Sequence, residues 1–376
     1  MTRVEKLLSE LIALPSVNPA FLPAHHPHAG EERVADYVAA WAATAGLEVE
    51  FQNVSRRRRN ILCRLLPKGV MKSRILLAPH LDTVNVVSDE HFIPQRRAGR
   101  IHGRGACDTK GSAAVMLAAL AAVARTGERP QHTEIVFTGL VDEEHAQAGS
   151  RKLAGSGMKA DLAVVGEPTR LKIVTAHKGN VWWRLETRGR AAHGATPQHG
   201  RNAILEMARV VEALETRYRA QLNRRRHRLL GSPTVSVGAI RGGTQANIVP
   251  DQCEIEVDRR TLPGETHRTL QAELRTLFRE LGARVSLQTA KSVECPPLET
   301  SSKAPFVREF LALAGQRTGE GVHFFCDAAV LAGGGIPSIV FGPGDIAQAH
   351  TADEWITTTQ LERGHALLVR YLRSLP

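Results

Sequence analysis

Aromatic residues are scarce in this chain, at 5% of 376 residues. That leaves little material for a surface on which bases stack, and weighs against single-stranded nucleic-acid binding. Cysteine is scarce too. Cys63, Cys107, Cys253, Cys295 and Cys326 are odd in number, scattered, and never spaced as Cys-x-x-Cys. The pattern argues against a disulfide framework and a cysteine-based structural zinc, and fits a reduced, cytoplasmic compartment. No apolar run approaches the roughly 18 residues that a membrane helix needs. Met1 to Leu8 mixes charges with leucines at helical spacing, which reads as an amphipathic helix and not as the apolar core of a signal peptide. There is no internal repeat.

What the chain has in excess is positive charge: 49 Lys+Arg against 38 Asp+Glu, a net +11. Such a balance raises the question of nucleic acid. The main basic runs, Arg56 to Arg59 and Arg224 to Arg228, are expected to be solvated faces, with at most some steering of an anionic substrate. The proportions of 43% apolar and 23% charged residues are ordinary globular values, and the length suggests about two domains.

The first 170 residues alternate apolar strand-like runs (Arg74 to Ala78, Glu134 to Leu140, Asp161 to Val165) with helical stretches. Glu32 to Ala45 is one helix, stopped by Gly46; the alanine-rich Gly111 to Ala124 is another. Such alternation predicts an α/β sheet with helices on both faces, whose ligands gather at the carboxyl ends of strands. The middle of the chain reads strand (Val181 to Thr187), helix (Asn202 to Leu222), strands (Thr234 to Ile240 and Cys253 to Val257), helix (Arg268 to Leu281), strand (Arg284 to Gln288). This β-α-β-β-α-β order is the split, ferredoxin-like arrangement. It predicts an inserted domain over 178–289, with the first domain formed from 1–177 and 290–376. Pro337 to Phe341 is again strand-like, and Leu361 to Leu375 is a closing amphipathic helix with Thr358 or Thr359 as its cap.

Five segments place acids and histidines where strands end: Ala78-Pro79-His80-Leu81-Asp82-Thr83, Gly103-Arg104-Gly105-Ala106-Cys107-Asp108, Asp142-Glu143-Glu144, Gly166-Glu167-Pro168, and Gln348-Ala349-His350-Thr351-Ala352-Asp353-Glu354. In an extended chain His80 and Asp82 point the same way, so one can bind a metal while the other orients it. Of two neighbouring carboxylates leaving a strand, one can bind metal and the other act as a base. The set suits Zn²⁺, Co²⁺ or Mn²⁺. It exceeds what one ion needs and points to two divalent metal ions, a pairing that at a separation of about 3.5–4 Å clamps a carbonyl and generates hydroxide.

Eight collinear fragments, HLDTV, GRGACDTKG, DEEHAQAGS, VVGEPT, GRAAHGATPQHGRNAI, ANIVPD, DRRTLPGE and GPGDIAQAHTADEW, resemble the co-catalytic zinc amidohydrolase and peptidase family. That family includes acetylornithine deacetylase, succinyl-diaminopimelate desuccinylase, aminoacylase and glutamate carboxypeptidase. The resemblance runs over nearly the whole chain. It implies a mixed-sheet α/β metal-binding domain with a ferredoxin-like lid and dimerisation domain inserted in it. Residue by residue, it implies His80 and Glu167 on one metal, Glu144 and His350 on the other, and Asp108 bridging, with a cis peptide after it. Asp82 would hold the His80 imidazole and Glu143 would be the general base. His193 would donate to the oxyanion, often across a homodimer. Arg260 would bind a substrate carboxylate, with Asn247 and the turn at Gly334 lining the same pocket.

The expected activity is hydrolysis of the amide of an N-acylated amino acid, most like acetylornithine deacetylase, chiefly through Gly342 to His350. A desuccinylase, or a metallo-carboxypeptidase or dipeptidase, follows closely. The non-enzyme alternative is a binding protein that kept the fold. Neither nucleic acid nor membrane is an expected partner. Of the remaining histidines, His25, His26 and His28 are expected on a surface loop and His177 in a structural role.

Overall fold

The apolar runs pair as the backbone of a mixed sheet. In the computed structural model, which describes residues 1–290 and 293–376, six adjacent strands of the sheet run in the order Glu48–Ser55, Arg58–Leu65, Thr133–Gly139, Ser73–Pro79, Leu162–Gly166, Ser338–Val340. Lys291 and Ser292, in the expected return to the first domain, lie outside the described residues. Ser73–Pro79 pairs in parallel with Thr133–Gly139 and with Leu162–Gly166, which pairs in parallel with Ser338–Val340. Their carboxyl ends therefore share one edge. The buried faces of these strands explain their near-continuous Val, Ile and Leu content.

Neither strand of the first hairpin was legible as a strand. Glu48–Ser55 and Arg58–Leu65 form an antiparallel hairpin whose turn sits inside the arginine run. Charges at the turn and along the exposed edge masked the alternation. Helix Lys110–Arg125 is buried almost all round, as its alanine content requires. Only small side chains let it lie between the N-terminal helix Arg3–Ile12 and the C-terminal helix Thr358–Ser374. That last helix is capped one residue earlier than expected: Thr357 accepts the Gln360 N–H at 3.2 Å. The core of this unit joins Leu8, Leu11, Leu77, Leu117, Phe137, Phe310 and Tyr371.

Contacts group the chain into two units. One comprises Met1–Thr175, Thr300–Glu320 and Cys326–Pro376, the other Ala176–Glu299 with Gly321–Phe325. The second unit has an antiparallel sheet in the order Thr234–Gly242, Gln252–Thr261, Gly179–Arg188, Val285–Thr289. With helices after its first and third strands, this is the ferredoxin-like topology. Its core centres on Trp183, Leu185, Met207, Leu214, Ile255, Leu270 and Leu274. The expected single helix from Asn202 to Leu222 is divided: Ala203–Ala213 passes through a π-helical turn, Leu214–Tyr218, before Arg219–Asn223. That turn aims Tyr218 inward, where Arg259 Nε donates to its hydroxyl at 3.3 Å.

The expectation that the arginine runs are wholly solvated needs correction. Arg225 bridges Glu265 at 2.6 Å and Glu273 at 2.7 Å. Glu265 in turn holds the wholly buried Arg259 at 2.8 Å. Arg58 is likewise mostly buried, against Glu31 and Asp142. Among the described residues no helix is long and apolar enough to cross a membrane.

Candidate metal centre

Strand Ser73–Pro79 delivers His80, strand Thr133–Gly139 leads to Glu143 and Glu144, and strand Leu162–Gly166 delivers Glu167. Asp108 comes from the loop before helix Lys110–Arg125. Gly105 there has φ +81°, a left-handed conformation that favours glycine, and the Asp108–Thr109 peptide is cis. Where strand Ser338–Val340 ends, a Cβ on Gly342 would lie 2.2 Å from Ser112 Oγ and 2.6 Å from the Glu167 carbonyl oxygen. Only glycine lets that turn pass so close to Glu167.

These segments converge. His80 Nε2 lies 3.0 Å from Asp108 Oδ1 and 3.9 Å from Glu167 Oε1. His350 Nε2 lies 3.2 Å from Asp108 Oδ2 and 3.1 Å from Glu144 Oε2. Two donor triads result, His80–Asp108–Glu167 and Asp108–Glu144–His350, each with its ligand atoms within 4.8 Å of one another. Asp108 is common to both.

The hold on His80 is more specific than the sequence implies. Its Nδ1 donates to the Asp82 backbone carbonyl at 3.0 Å, with the Asp82 carboxylate further off at 3.5 Å. Nδ1 thus carries the proton and the Nε2 lone pair faces Asp108 and Glu167, as a metal ligand requires. The Asp82 carboxylate instead accepts the backbone N–H groups of Glu143 (3.0 Å) and Glu144 (3.1 Å) and the Asn18 side-chain amide (2.7 Å).

The electrostatics are those of a negative charge excess. Burial, with the carboxylates of Glu167, Asp327 and Glu144 beside it, pushes the Glu143 carboxyl well up, although His80 opposes this. Burial pushes Glu167 well up and raises Glu144, each against His80 and with Asp108 adding to the rise. Hydrogen bonds to Asp108 and Glu144 raise His350 to about 10. Burial alone would lower His80, but Asp108, Asp82 and two glutamates hold it well up. Asp108 goes the other way: although burial opposes it, its hydrogen bonds to His350 and His80 hold its carboxyl well down. The three glutamates and both imidazoles nevertheless shift toward retaining protons, as in a cluster that lacks positive charge. Dications would supply it. The all-nitrogen-and-oxygen donor set therefore fits divalent ions of the zinc, cobalt or manganese type.

The second unit carries the other named residues. His193 pairs with Ile248 across a β-bridge, and Gly194 N–H donates to the Asn247 carbonyl at 2.7 Å, so His193 and Asn247 are neighbours. Ala195 N–H donates to His193 Nδ1 at 3.1 Å. Neutral His193 therefore keeps its proton on Nε2 and presents a donor outward. Strand alternation puts Arg259 in the core and Arg260 on the opposite face. There Arg260 is held by Asp258 through two nitrogens, both at 3.1 Å, with the Phe325 ring 5.8 Å away.

Gly334 does not join the donor triads. It lines a cavity with Ser73, Arg74 and Asp161, at the starts of the strands whose far ends carry His80 and Glu167. A seven-residue strand spans about 20 Å, so the Gly333-Gly334-Gly335 turn, where helix Asp327–Gly333 ends, lies at the opposite strand ends from His80 and Glu167.

Other contributors were not singled out from sequence. Glu354 is buried and accepts N–H groups from Gly105 (2.9 Å), Cys107 (2.8 Å) and Asp108 (3.0 Å), with Arg104 at 2.7 Å. Arg104 also donates to the Thr351 carbonyl at 3.2 Å, beside His350. Asp327, which burial pushes up to about 7, is bonded by the Ser150 hydroxyl. Glu354 stood in view within the last motif, but nothing in the sequence distinguished it from a surface acid.

Residues 76–374 match the model of peptidase family M20/M25/M40. The chain is 31% identical over 354 residues to an acetylornithine deacetylase from Edwardsiella ictaluri, covering 91% of this chain and 90% of that one. It is 30% identical to an acetylornithine deacetylase from Pasteurella multocida, covering 98% and 96%. Among solved structures, an aminopeptidase from Bacillus cereus superposes with a TM-score of 0.79 at 23% identity, covering 99% and 97%. A dinuclear metal-binding peptidase from Bacillus subtilis gives 0.70 at 14% identity, also covering 99% and 97%.

Proposed function

Because the chain belongs to peptidase family M20/M25/M40, and is thus a metal-dependent amidohydrolase, we propose that it removes the acyl group from an N-acylated amino acid, in the manner of an acetylornithine deacetylase. The observation that carries the reading is Asp108, shared by two donor triads with Glu143 close by. Identity of about 30% to acetylornithine deacetylases, over nine-tenths or more of both chains, supports the substrate class.

His80, Asp108 and Glu167 would hold one divalent ion and Asp108, Glu144 and His350 a second, zinc being the natural choice for these donors. Such ions, when bound, polarise an amide carbonyl and acidify water. Glu143 takes the proton of the attacking water and passes it to the leaving amine. Its partly buried position suits a carboxyl that must hold a proton in mid-reaction. Asp82 keeps Glu143 in place through the backbone N–H it accepts. Nε2–H of neutral His193 supplies a donor to the tetrahedral oxyanion. Arg260 exchanges Asp258 for the substrate carboxylate, a planar fork matched in two bonds, with Asn247 near His193. We further propose a cytoplasmic homodimer in which the second unit serves as lid and interface. All five cysteines are buried, and their scattered spacing accords with a reduced compartment.

The experiment is an amine-release screen with metal-loaded protein over N-acetyl, N-succinyl and dipeptide substrates. N-acetylornithine is expected to turn over fastest. Preference for N-succinyl substrates or dipeptides would replace the deacetylase reading with a desuccinylase or peptidase one. Hydrolysis that survives complete metal removal would sink the two-metal reading.

A further inference from the structure

Arg58 lies in a run that composition alone assigns to the surface. Its guanidinium instead faces two buried acids. Nε donates to Glu31 Oε2 at 3.1 Å, Nη2 pairs with Glu31 Oε1, and Nη1 donates to Asp142 Oδ1 at 2.7 Å. Asp142 immediately precedes Glu143 and Glu144 and has φ +70°, a left-handed conformation that is uncommon outside glycine and in which its surroundings hold it. Those surroundings are specific. Asp142 N–H donates to Glu31 Oε1 at 3.1 Å. The Asn18 amide donates to Asp142 Oδ1 at 3.0 Å as well as to Asp82. Ala148 N–H donates to Asp142 Oδ2 at 3.3 Å, and the Asp142 carbonyl accepts from Gln147 at 2.6 Å.

Glu31 is itself buried, at the N-terminal end of helix Glu32–Thr44. Three buried carboxylates, those of Glu31, Asp82 and Asp142, therefore surround one arginine. Remove its charge and they repel one another; remove its fork and Asp142 loses its orientation. The neighbouring arginine makes a contrast: Arg59 pairs with Asp36 on the exposed side at 3.0 Å and lies over the Phe51 ring.

We propose that Arg58 is a positioning residue for the hydrolytic reaction. It clamps Asp142 between Glu31 and Asn18, so that the strained turn presents the Glu143 and Glu144 side chains in register with the Asp108 site. It touches neither substrate nor metal. The clamp is a geometric claim, and its effect on rate rests on Glu143 being the base.

The test compares Arg58→Lys, which keeps the charge and loses the fork, with Asp142→Asn, which keeps the shape and tolerates positive φ, and with Arg59→Ala as control. Hydrogen–deuterium exchange on the full chain reads the turn directly. The peptide spanning residues 140–147 is expected to exchange about tenfold faster in Arg58→Lys and Asp142→Asn, while the peptide over strand Ser73–Pro79 is unchanged. With metal content per chain at the wild-type level, kcat is expected to fall by about 10- to 100-fold and KM to stay within about twofold, as for a displaced base and an intact binding site. Arg59→Ala should match wild type in both readouts. Unchanged exchange over 140–147 in folded Arg58→Lys overturns the clamp, as does a kcat loss that follows only the unfolded fraction. If wild-type protein releases no amine from any amide, the functional reading fails, while the exchange result still decides the clamp.

Discussion

His80 and His350 grip opposite oxygens of one carboxylate: their Nε2 atoms lie 3.0 Å and 3.2 Å from Oδ1 and Oδ2 of Asp108. The two histidines stand 270 residues apart in sequence, and only the sheet edge and the Asp108 loop bring them to a common ligand.

Metal content should follow that geometry. Wild-type protein reconstituted with zinc is expected to retain two ions per chain after desalting, His80→Ala and His350→Ala about one each, and Asp108→Ala fewer than either, because a bridging ligand serves both ions. Atomic absorption measures this. Two ions retained by Asp108→Ala would remove it as the bridge.

Glu143→Gln keeps the volume and loses the base. The expected result is a kcat lower by about 10²–10⁴-fold with unchanged metal content, the range for a general acid–base group. Steady-state kinetics with metal analysis decides it, and turnover within about twofold of wild type would assign the proton transfer elsewhere.

Mixing two inactive variants tests whether His193 serves the partner's site. Heterodimers of His193→Ala and Glu143→Ala subunits, formed by unfolding and refolding together, should regain part of the wild-type rate. Heterodimers shown by native mass spectrometry to have formed, yet inactive, would place the donor in the same chain as the base.

Glu354 anchors the Asp108 loop by accepting three backbone N–H groups and pairing with Arg104. Glu354→Gln leaves a buried guanidinium without its counter-charge, so a loss of about 3–5 kcal/mol is expected. Urea unfolding of the metal-free protein reads it. A variant as stable as wild type would show that the pair is not what holds the loop.

His177 sets a pH dependence of stability. Burial lowers its imidazole from the ordinary 6.5 to about 4. Between those values the unfolded chain binds the proton more readily than the folded one. Its contribution is therefore complete above about pH 6.5 and is lost as pH falls toward 4, amounting to about 3 kcal/mol. Denaturant unfolding at pH 7 and pH 4.5 should show a smaller loss on acidification for His177→Gln than for wild type. Equal losses would mean that His177 does not carry the effect.

The strands that carry the candidate metal ligands were legible because buried parallel strands are apolar throughout and end abruptly in acids or histidine. The edge hairpin was not, because its outer strand is exposed and its turn is arginine-rich. The clustering of donors was legible wherever a residue's type is tied to a motif, as for His80, Asp108, Glu144, Glu167 and His350, which the fold brings into two triads. It was illegible where the same residue type serves opposite ends, as with Arg58 beside Arg59, Arg225 beside Arg224, and Glu354 beside Asp353. Arg58 meets the buried acids Glu31 and Asp142 where Arg59 meets the exposed Asp36, and Glu354 is buried where Asp353 is not; which acid a side chain meets is a property of packing.

By itself, then, the amino-acid order determined the donor set, the alternation of strands and helices, and the ferredoxin-like insertion, since these rest on residue chemistry and short-range periodicity. Only the tertiary structure decided that Asp108 faces both histidines, that Gly334 lies at the opposite strand ends, that Asp82 spends its carboxylate on the backbone of Glu143 and Glu144, and that Arg58 and Arg225 each meet two acids. Each of these depends on segments distant in sequence meeting at a buried place, where an unpaired charge costs far more than it does in water.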